Sequence, residues 1–442
     1  MSAGNEQRFV GSSGEYPGVS FEIQQTEIGD FPSTWEVDRV DSAFEIQQGK
    51  QVSRKNREGD NQRPFLRTKN VFWNRLELTD LDEMNFTETE EARLELETND
   101  LLVCEGGSIG RTALWNNEVD GCLYQNHLHR LRVKDEKAEP RYGVYWFWYA
   151  FDVAKLYFGR GNVTTIPNLS RSKLAELPMA LPPLPEQKKI AHILSTVQRA
   201  IEAQERIIQT TTELKKALMQ KLFTEGLRNE PQKETEIGLV PESWEVVKIG
   251  DLGKCVTGST PKTKVASFYD PPIEDFIAPA DLGVRRYVYD SQKKISPEGM
   301  ATIRPIPMNA VMCVCIGSSI GKVGMSYRDK SATNQQINSI ICQGERDPEF
   351  VYYLLSQYSE YWKGFATFGP VPILSKGRFT SITIAIPLSI EEQQNLAKPL
   401  VRLEAKVEVA EKKVAVLQHL FRTLLHELMT AKRRVHQLEL EN

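Results

Sequence analysis

The chain has 442 residues, of which 40% are hydrophobic and 26% are charged, and its formal net charge at pH 7 is −4. This length is enough for two or three domains with full cores, and no stretch approaches the roughly 18 apolar residues that a membrane-spanning helix needs. The slightly acidic balance excludes a surface that is basic throughout, so nucleic-acid contact would require local clusters of lysine and arginine.

The first residues predict a polar N-terminal extension (1–26). They lack the basic segment and apolar run of a secretory signal, so we expect a cytoplasmic protein. Farther along, six cysteines lie among apolar or small neighbours and form no C-x-x-C pair, which predicts buried thiols rather than disulfides or a zinc site. These cysteines are Cys104, Cys122, Cys255, Cys313, Cys315 and Cys342.

The sequence repeats itself in domain-sized units. EIGDFPSTWEV (27–37) matches EIGLVPESWEV (236–246), and CEGGSIGRTALW (104–115) matches CIGSSIGKVGMS (315–326). Near the end of each half, IPNLSRSKLAELPMALPPLPEQKKIA (166–191) matches VPILSKGRFTSITIAIPLSIEEQQNLA (371–397). Because solenoid repeats have periods of only about 20 to 50 residues, this repeat indicates gene duplication and two homologous domains.

Short β-like runs and helical stretches alternate within each half. The runs include residues 101–104, 311–315 and 382–386, and the helical stretches include 142–158 and 349–365. This alternation predicts a mixed α+β fold. Aromatic side chains are dense in both helical stretches, and we expect most of them to lie in the core.

A polar, basic segment follows the start of each half and differs in sequence between the halves. Lysine and arginine in such segments bind phosphates, and guanidinium or amide groups read base edges. Any one of these residues could belong to a solvated surface loop, but the set predicts DNA-binding surfaces. The candidates are Arg54, Lys55, Arg57, Arg63, Arg67 and Lys69 in the first half and Ser259, Thr260, Lys262, Lys264, Arg285 and Arg286 in the second.

Each half ends in a stretch with heptad spacing, which predicts a coiled-coil seam. The seam positions in the first stretch are Ile190, Leu194, Val197, Ile201, Ile208, Leu218 and Leu222, with polar interruptions at Gln204, Thr211 and Lys215. Those in the second are Leu396, Leu400, Leu403, Val407, Val414, Leu417, Phe421, Leu424 and Leu428. Such a seam can serve an oligomer, but two homologous helices favour antiparallel pairing within one chain.

The helix patterns and the repeat together give the domain boundaries. We expect a first globular domain (27–184), a first long helix (185–228), a linker with a second globular domain (229–388), a second long helix (389–435) and an acidic tail (436–442). Apolar positions outside the seam are candidates for a partner surface. These are Ile193, Ile207, Leu214, Leu420 and Leu425.

The sequence offers no catalytic residues and no metal ligands. GSSIGK (317–322) is one residue short of a P-loop and is followed by Val323, so a tight turn between strands is the better interpretation. DPPI (270–273) has Ile273 where a base-holding methyltransferase loop has an aromatic residue, and no convincing glycine-rich cofactor turn follows a strand. The six histidines form no ligand motif.

Taken together, three repeated motifs resemble those of the specificity subunits of Type I restriction-modification systems. They are P-x-x-W-E-V at the start of each half, G/S-S-I-G in the middle, and P-L-x-E-Q or its counterpart before a long helix. The resemblance spans about residues 27 to 435 and includes two complete sets of motifs in one order. It implies a pseudo-twofold symmetric α+β protein, in which two tandem target-recognition domains are joined by two long antiparallel coiled-coil helices.

The resemblance also implies a non-catalytic function. Each domain would recognise one half of a bipartite DNA site, and the helices would set the gap between the halves. Adenine methylation with S-adenosylmethionine, and ATP- and Mg²⁺-dependent cleavage, would belong to partners: two modification (methyltransferase) subunits and restriction (translocase-nuclease) subunits. The chain itself would need no cofactor and would contact double-stranded DNA but no membrane.

Two other interpretations remain open at this point. The chain could be a coiled-coil structural adaptor without DNA specificity, or a stand-alone DNA methyltransferase or nuclease. The enzyme would require a metal or cofactor constellation that the sequence does not display, and the adaptor would bind no DNA sequence selectively.

Overall fold

The computed structural model describes residues 13–14, 21–157, 168–367 and 369–435, and every element below lies in this part of the chain. Two compact units divide the chain, one formed by residues 1–204 and 413–442 and the other by 205–412. Each unit therefore contains one half of the repeat and a segment of both long helices. The predicted acidic tail and most of the predicted N-terminal extension lie outside the described residues.

The first unit is a mixed α+β domain built on a four-stranded antiparallel sheet. The order of this sheet is Thr112–Leu114, Leu101–Cys104, Leu128–Val133 and Phe44–Gln48. A three-stranded sheet has Leu123–Tyr124 parallel to Gln62–Leu66, and Asp82–Asn85 antiparallel to it. The remaining pairings join Ser13–Gly14 to Phe21–Thr26 and Phe21–Thr26 to Gly29–Pro32, Glu36–Arg39 to Pro178–Leu181, and Val71–Phe72 to Arg75–Leu76.

Helices of the first unit pack against its two larger sheets. The α-helices are Val40–Ala43, Glu88–Leu94, Pro140–Trp148 and Arg171–Glu176, with a π-helical continuation at Tyr149–Val153 and 3-10 turns at Lys55–Arg57 and Thr68–Asn70. The helix Pro140–Trp148 is rich in aromatic residues, and its Tyr142, Tyr145 and Trp146 are fully buried. The expectation that most aromatic residues here belong to the core is confirmed.

The second unit repeats this architecture with a five-stranded sheet. Its order is Gly253–Thr257, Ile337–Cys342, Val311–Val314, Val323–Ser326 and Tyr287–Val288. A three-stranded sheet orders Lys294–Ile295, Glu274–Ile277 and Ala332–Thr333, and two-stranded pairings join Gln232–Thr235 to Gly238–Pro241 and Glu245–Lys248 to Thr383–Ile386. Its helices are Pro297–Ala301, Pro348–Gln357, Ser359–Lys363 and Lys376–Ser381, with 3-10 turns at Ile249–Leu252, Ala266–Phe268 and Pro279–Asp281.

The aromatic helix begins in the same way in both units. Proline occupies the first turn, where its missing N–H leaves no hydrogen bond unmade. The preceding acidic residue caps the helix: Glu139 accepts from the backbone N–H of Tyr142 at 2.7 Å, and Asp347 accepts from that of Phe350 at 2.8 Å. Equivalent local sequences therefore specify equivalent helix starts, as the duplication predicts.

Two long helices follow the two globular domains. The first spans Leu184–Glu225, and the second spans Ile390–Met429. The first ends at Gly226, whose φ of +68° is the left-handed conformation that commonly terminates a helix. In the second unit, Lys215 pairs with Glu404, while Leu222 farther along the first helix shares a core with Leu396 and Leu400 earlier on the second. The two segments therefore run antiparallel within this unit.

Burial along the predicted seam is strongest toward the helix ends. Eight seam residues are buried: Ile190, Leu194, Leu222, Leu396, Leu400, Phe421, Leu424 and Leu428. The other eight are partly buried: Val197, Ile201, Ile208, Leu218, Leu403, Val407, Val414 and Leu417. The buried ones belong to the cores of the globular domains, so in these segments the helices pack against domain as well as helix.

Two of the proposed partner-surface positions were wrong. Ile193 and Leu425 are 7% and 0% exposed, because both lie in the core of the first unit. Ile207 is partly buried, whereas Leu214 and Leu420 are 55% and 42% exposed. The domain covers more of each helix than a two-helix seam alone would, which removes these flanking positions from the surface.

The remaining structural expectations concern turns and thiols. GSSIGK lies between the antiparallel strands Val311–Val314 and Val323–Ser326, and its first-half counterpart lies between Leu101–Cys104 and Thr112–Leu114, so the predicted tight turns are confirmed. The six cysteines are free and are buried or half-buried. Within the described residues, no helix has both the length and the apolar character needed to cross a membrane.

Candidate nucleic-acid interface

The two basic segments begin at equivalent glycines. Gly49 follows the strand Phe44–Gln48, and Gly258 follows Gly253–Thr257. Their N–H groups donate to the carbonyl oxygens of Leu128 at 3.2 Å and Ile337 at 3.0 Å, respectively. These backbone bonds attach the segment after Gly49, called the first loop, and the segment after Gly258, called the second loop, to equivalent positions on their sheets.

Close backbone packing explains why both positions are glycine. A Cβ atom on Gly49 would lie 2.3 Å from the carbonyl oxygen of Gln125, and one on Gly258 would lie 2.1 Å from that of Asn334. Both separations are far below van der Waals contact, and the two nearest obstructing atoms at each glycine are backbone carbonyl oxygens. Glycine permits such an approach because it has no Cβ atom.

The first loop presents three exposed cations. Its 3-10 turn spans Lys55–Arg57, and the side chains of Lys55 and Arg57 are exposed. The side chain of Arg54 is 98% exposed and lies 4.0 Å from Glu58, an ion pair that contributes little in water. In the part of the chain that the structure describes, no carboxylate pairs with Lys55 or Arg57. This loop therefore offers positive charge to a ligand.

The other three predicted cations of the first half are already engaged. Their ion-pair distances are 2.6 Å for Arg63–Glu91, 2.6 Å for Arg67–Asp82 and 2.7 Å for Lys69–Asp80. The hydrogen bond from Arg67 lowers the pKa of Asp82, and that from Arg63 lowers the pKa of Glu91. The carboxylates of Asp80, Asp82 and Glu91 thus compensate much of the positive charge that was predicted to bind DNA.

The second loop combines hydroxyls with two lysines. The N–H of Ser259 donates to the carbonyl oxygen of Thr333 at 2.9 Å, and the hydroxyl of Thr260 donates to Oε1 of Gln335 at 2.7 Å. Lys262 and Lys264 follow with exposed side chains. The loop is therefore held by its start and leaves its basic part accessible, as in the first unit but with different side chains.

Arg285 and Arg286 do not belong to this loop surface. Arg286 is only 12% exposed and contacts Glu349 at 2.9 Å and Glu404 at 3.4 Å. Arg285 contacts Glu411 on the second long helix at 3.2 Å. The charge of Arg286 is therefore compensated by Glu349 and Glu404 inside the domain–helix contact, and its DNA-binding role stays a prediction.

The structure adds polar side chains that the sequence interpretation missed. QNHL (125–128) and NQQI (334–337) are equivalent segments, and both adjoin the glycine-anchored loops. Gln335 is exposed, and the side chain of His127 is 57% exposed. Amide and imidazole groups can hydrogen-bond base edges, so these segments are candidates for base recognition beside the phosphate-binding cations. Alignment of the two segments beside the repeated strand was the signal available in the sequence.

Among the residues that the structure describes, no group of three or more histidine, cysteine, aspartate or glutamate side chains could hold a metal ion. His127 and Glu105 approach to 3.6 Å, but they form a pair rather than a ligand set. The geometry thus provides basic and amide-bearing loops on two homologous domains.

Comparison with known proteins identifies the family. The model described as the Type I restriction modification DNA specificity domain matches residues 32–212 and again 241–419. A proposed type I restriction enzyme MjaX specificity subunit of Methanocaldococcus jannaschii is 26% identical over 443 residues, covering 93% of this chain and 97% of that protein. The MjaVIII specificity subunit of the same organism is 24% identical over 430 residues, covering 92% and 95%.

A solved structure has the same fold. The S subunit of a Type I restriction-modification system from M. genitalium matches with a TM-score of 0.58 and 17% sequence identity, covering 89% of this chain and 96% of that one. The two family matches span well over half of the sequence and coincide with the two halves of the repeat. The chain therefore belongs to the Type I restriction-modification DNA specificity family, whose members are non-catalytic DNA-recognition subunits.

Proposed function

We propose that each globular domain binds one half of a bipartite, asymmetric DNA site through its glycine-anchored loop. The observation that carries this proposal is the pair of loops after Gly49 and Gly258, which start from equivalent backbone bonds but present unlike side chains. Equivalent anchoring places the loops similarly on homologous domains. Different loop chemistry then gives different half-sites.

In each domain, two kinds of side chain contribute to recognition, one in the loop and one in the segment that adjoins it. Lys55 and Arg57 in the first domain, and Lys262 and Lys264 in the second, bind phosphates and fix the position of the domain on the duplex. Gln335 and His127 lie beside them with groups suited to base edges. Phosphate contacts supply affinity at every sequence, whereas the amide and imidazole contacts supply discrimination.

The long helices set the gap between the half-sites. The first has 42 residues and the second has 40. At 1.5 Å per residue, each is about 60 Å long, which exceeds the roughly 34 Å of one turn of DNA. A spacer of this kind fixes the separation in base pairs, because α-helices do not change length appreciably.

Partner subunits supply the chemistry. We propose two modification subunits that methylate adenine with S-adenosylmethionine, and restriction subunits that use ATP and Mg²⁺. The exposed apolar side chains on the helices support a binding surface for partners, among them Leu214, Val416 and Leu420, which are 55%, 68% and 42% exposed. The chain itself binds none of these cofactors in this proposal. Calorimetric titration of the isolated chain with S-adenosylmethionine tests this point, and tight binding would contradict it.

Methylation mapping of a host that lacks adenine methylation tests the proposed function directly. The host receives the modification subunit with either the wild-type chain or a variant. The wild type is expected to yield methylated adenine in one bipartite motif with a fixed gap. Gln335→Ala with Lys262→Ala should alter or relax only one half of that motif, while the other half and the gap stay unchanged.

A matched control removes two cations elsewhere. Lys134 and Lys137 are exposed and follow the far end of the strand Leu128–Val133, whose start adjoins the first loop. The variant Lys134→Ala with Lys137→Ala should leave the motif intact. A continuous motif in the wild type, or simultaneous loss of both halves in the Gln335 variant, would contradict the assignment of one half-site to each domain.

A further inference from the structure

The two long helices each carry one side chain into a contact with the aromatic helix of a unit, and the two contacts have opposite chemistry. Lys215 lies on the first long helix and Phe421 on the second, 206 residues apart, so they occupy equivalent positions in the repeat. Lys215 contacts the aromatic helix of the second unit, and Phe421 contacts that of the first. We call these contacts the Lys215 site and the Phe421 site.

The Lys215 site is charged. Nζ of Lys215 lies 2.6 Å from Oε1 of Glu404 and 5.9 Å from the centre of the Tyr353 ring. The hydroxyl of Tyr353 donates to Oε2 of Glu404 at 2.8 Å, and Nε of Arg286 lies 3.4 Å from the same oxygen. With side-chain exposures of 27% for Lys215 and 13% for Glu404, much of this network is removed from water.

The Phe421 site has neutral residues at the equivalent positions. Phe421 is 4% exposed, and its ring centre lies 6.1 Å from that of Tyr145 and 4.8 Å from that of Trp148. Gln198 stands where the second unit has Glu404, and its Oε1 accepts from the hydroxyl of Tyr145 at 3.0 Å and from Nδ2 of Asn74 at 2.8 Å. The hydrogen bond from the tyrosine hydroxyl is thus present at both sites, whereas the charged side chains are present only at the Lys215 site.

Exchanging the inserted side chains would be unfavourable at both sites. A lysine at the Phe421 site would bring a charge among aromatic rings, where Gln198 offers no carboxylate and the next acid, Glu202, is exposed. A phenylalanine at the Lys215 site would deprive Glu404 of its closest cation. Removing one partner of a buried ion pair is strongly destabilising, because the remaining charge is left without compensation.

We infer that these two sites make the association of unlike halves of the chain selective over the association of a half with its own copy in a second chain. In a pair of first halves, Lys215 of one chain would meet the neutral site of the other. In a pair of second halves, Phe421 would meet the charged site. The native arrangement is the one in which both inserted side chains find matching surroundings.

An exchange variant of the full-length chain tests this inference. Lys215→Phe with Phe421→Lys mismatches both native contacts, and it gives each half a side chain that suits a copy of itself. Intramolecular pairing has an advantage equivalent to millimolar concentration, so association is measured by light scattering over a wide concentration range. We expect a discrete dimer at protein concentrations at least tenfold lower than those needed by the control, Lys215→Ala with Phe421→Ala. Equal association of the two variants would overturn the inference.

A stability cycle provides a second readout that does not depend on dimer formation. The single variant Lys215→Phe creates a mismatch at this site. The double variant Arg286→Asn with Glu404→Gln creates another, and each variant should lower the midpoint of thermal unfolding. The triple variant rebuilds the neutral site in the second unit and should recover more than half of the summed loss. Lys216→Phe, at the neighbouring exposed position, is the control for adding an aromatic residue to this helix. Losses that simply add would show that the residues are not coupled and would contradict the inference.

Discussion

The indole N–H of Trp35 donates a hydrogen bond to Oε2 of Glu186, 151 residues later in the chain, at 3.2 Å. The second unit repeats the bond between Trp244 and Oε1 of Glu392, also at 3.2 Å. Both indoles are almost fully buried, at 2% and 0% exposure. A tryptophan near the start of each domain therefore attaches that domain to the first turns of the long helix that follows it.

A glutamine next to each of these glutamates completes the attachment. Gln187 accepts from the N–H of Glu139 at 2.8 Å and donates to the carbonyl oxygen of Pro182 at 2.8 Å. Gln393 accepts from the N–H of Asp347 at 2.9 Å and donates to the carbonyl oxygen of Pro387 at 2.9 Å. Because the E-Q pair of the repeat lies in both helix starts, the orientation of each domain on its own helix is specified twice by the same chemistry.

Replacement of the two glutamates is expected to have unequal effects. Glu186 also accepts two hydrogen bonds from Arg434, at 2.7 and 2.9 Å, with both side chains largely buried. Glu186→Ala removes this carboxylate from a buried ion pair, so it should cost about 3 to 5 kcal/mol of unfolding free energy. Glu392→Ala should cost about 1 to 2 kcal/mol, as expected for loss of the hydrogen bond from Trp244.

Denaturant unfolding of the two variants checks this difference. Trp35→Phe serves as the control, because it keeps an aromatic ring and removes the indole donor, although it also reduces the buried volume. Equal losses for Glu186→Ala and Glu392→Ala would show that the pair with Arg434 adds nothing to stability.

Loss of the exposed cations in the first loop should weaken DNA binding at every sequence. Lys55→Ala with Arg57→Ala removes two proposed phosphate contacts. The slope of the logarithm of the binding constant against the logarithm of salt concentration should fall by about 2, since each contact contributes about 0.9. The assembled complex is titrated with specific and non-specific duplexes over a range of salt concentrations.

The control double variant, Lys134→Ala with Lys137→Ala, should leave this salt-dependence slope unchanged. If the Lys55 variant lost affinity for its specific duplex alone, these two residues would be base-reading rather than phosphate-binding.

The contrast between Lys55 and Arg67 shows which property of a basic residue could not be predicted from the sequence, namely whether it forms an ion pair. Both lie in one basic segment and are equivalent by charge, yet only Lys55 stays free of an ion pair among the described residues. Arg67 is engaged because the strand Gln62–Leu66 pairs antiparallel with Asp82–Asn85, which brings Asp82 within 2.6 Å of Arg67. Strand pairing depends on tertiary structure, so neither charge nor spacing revealed it.

The duplication was accessible in the sequence because its markers are local. Trp35 and Trp244 align without gaps in their motifs, and both are buried in the structure. Leu425 could not be placed from heptad spacing, because that pattern describes contact between two helices. The additional surface covering Leu425 is supplied by the globular domain of the first unit.

Addition of a single methyl group at Gly258 should impair one half-site. Gly258→Ala places Cβ 2.1 Å from the carbonyl oxygen of Asn334, so the start of the second loop must move. Methylation mapping should show loss or relaxation of one half of the motif, with the other half retained. Gly377→Ala is the control in the same unit, because a Cβ there meets nothing within 4 Å and the residue lies in a helix. Equal effects of the two substitutions would exclude a specific role for close packing at Gly258.

The reactivity of the cysteine thiols should depend on pH as expected for buried groups. Burial raises the pKa of Cys255 to about 11 and that of Cys104 to about 12, because the charged thiolate loses hydration. Since the thiolate is the reacting species, alkylation of the native protein should be slow at pH 8 and accelerate about tenfold per pH unit up to about pH 9.5. Half-buried Cys255 should react before buried Cys104. Mass spectrometry after timed iodoacetamide treatment gives the rate at each site, and the denatured chain, in which all six thiols should react readily, is the control. A native rate that levels off near pH 8.5 would instead indicate thiols with an ordinary pKa and would contradict burial as the controlling effect.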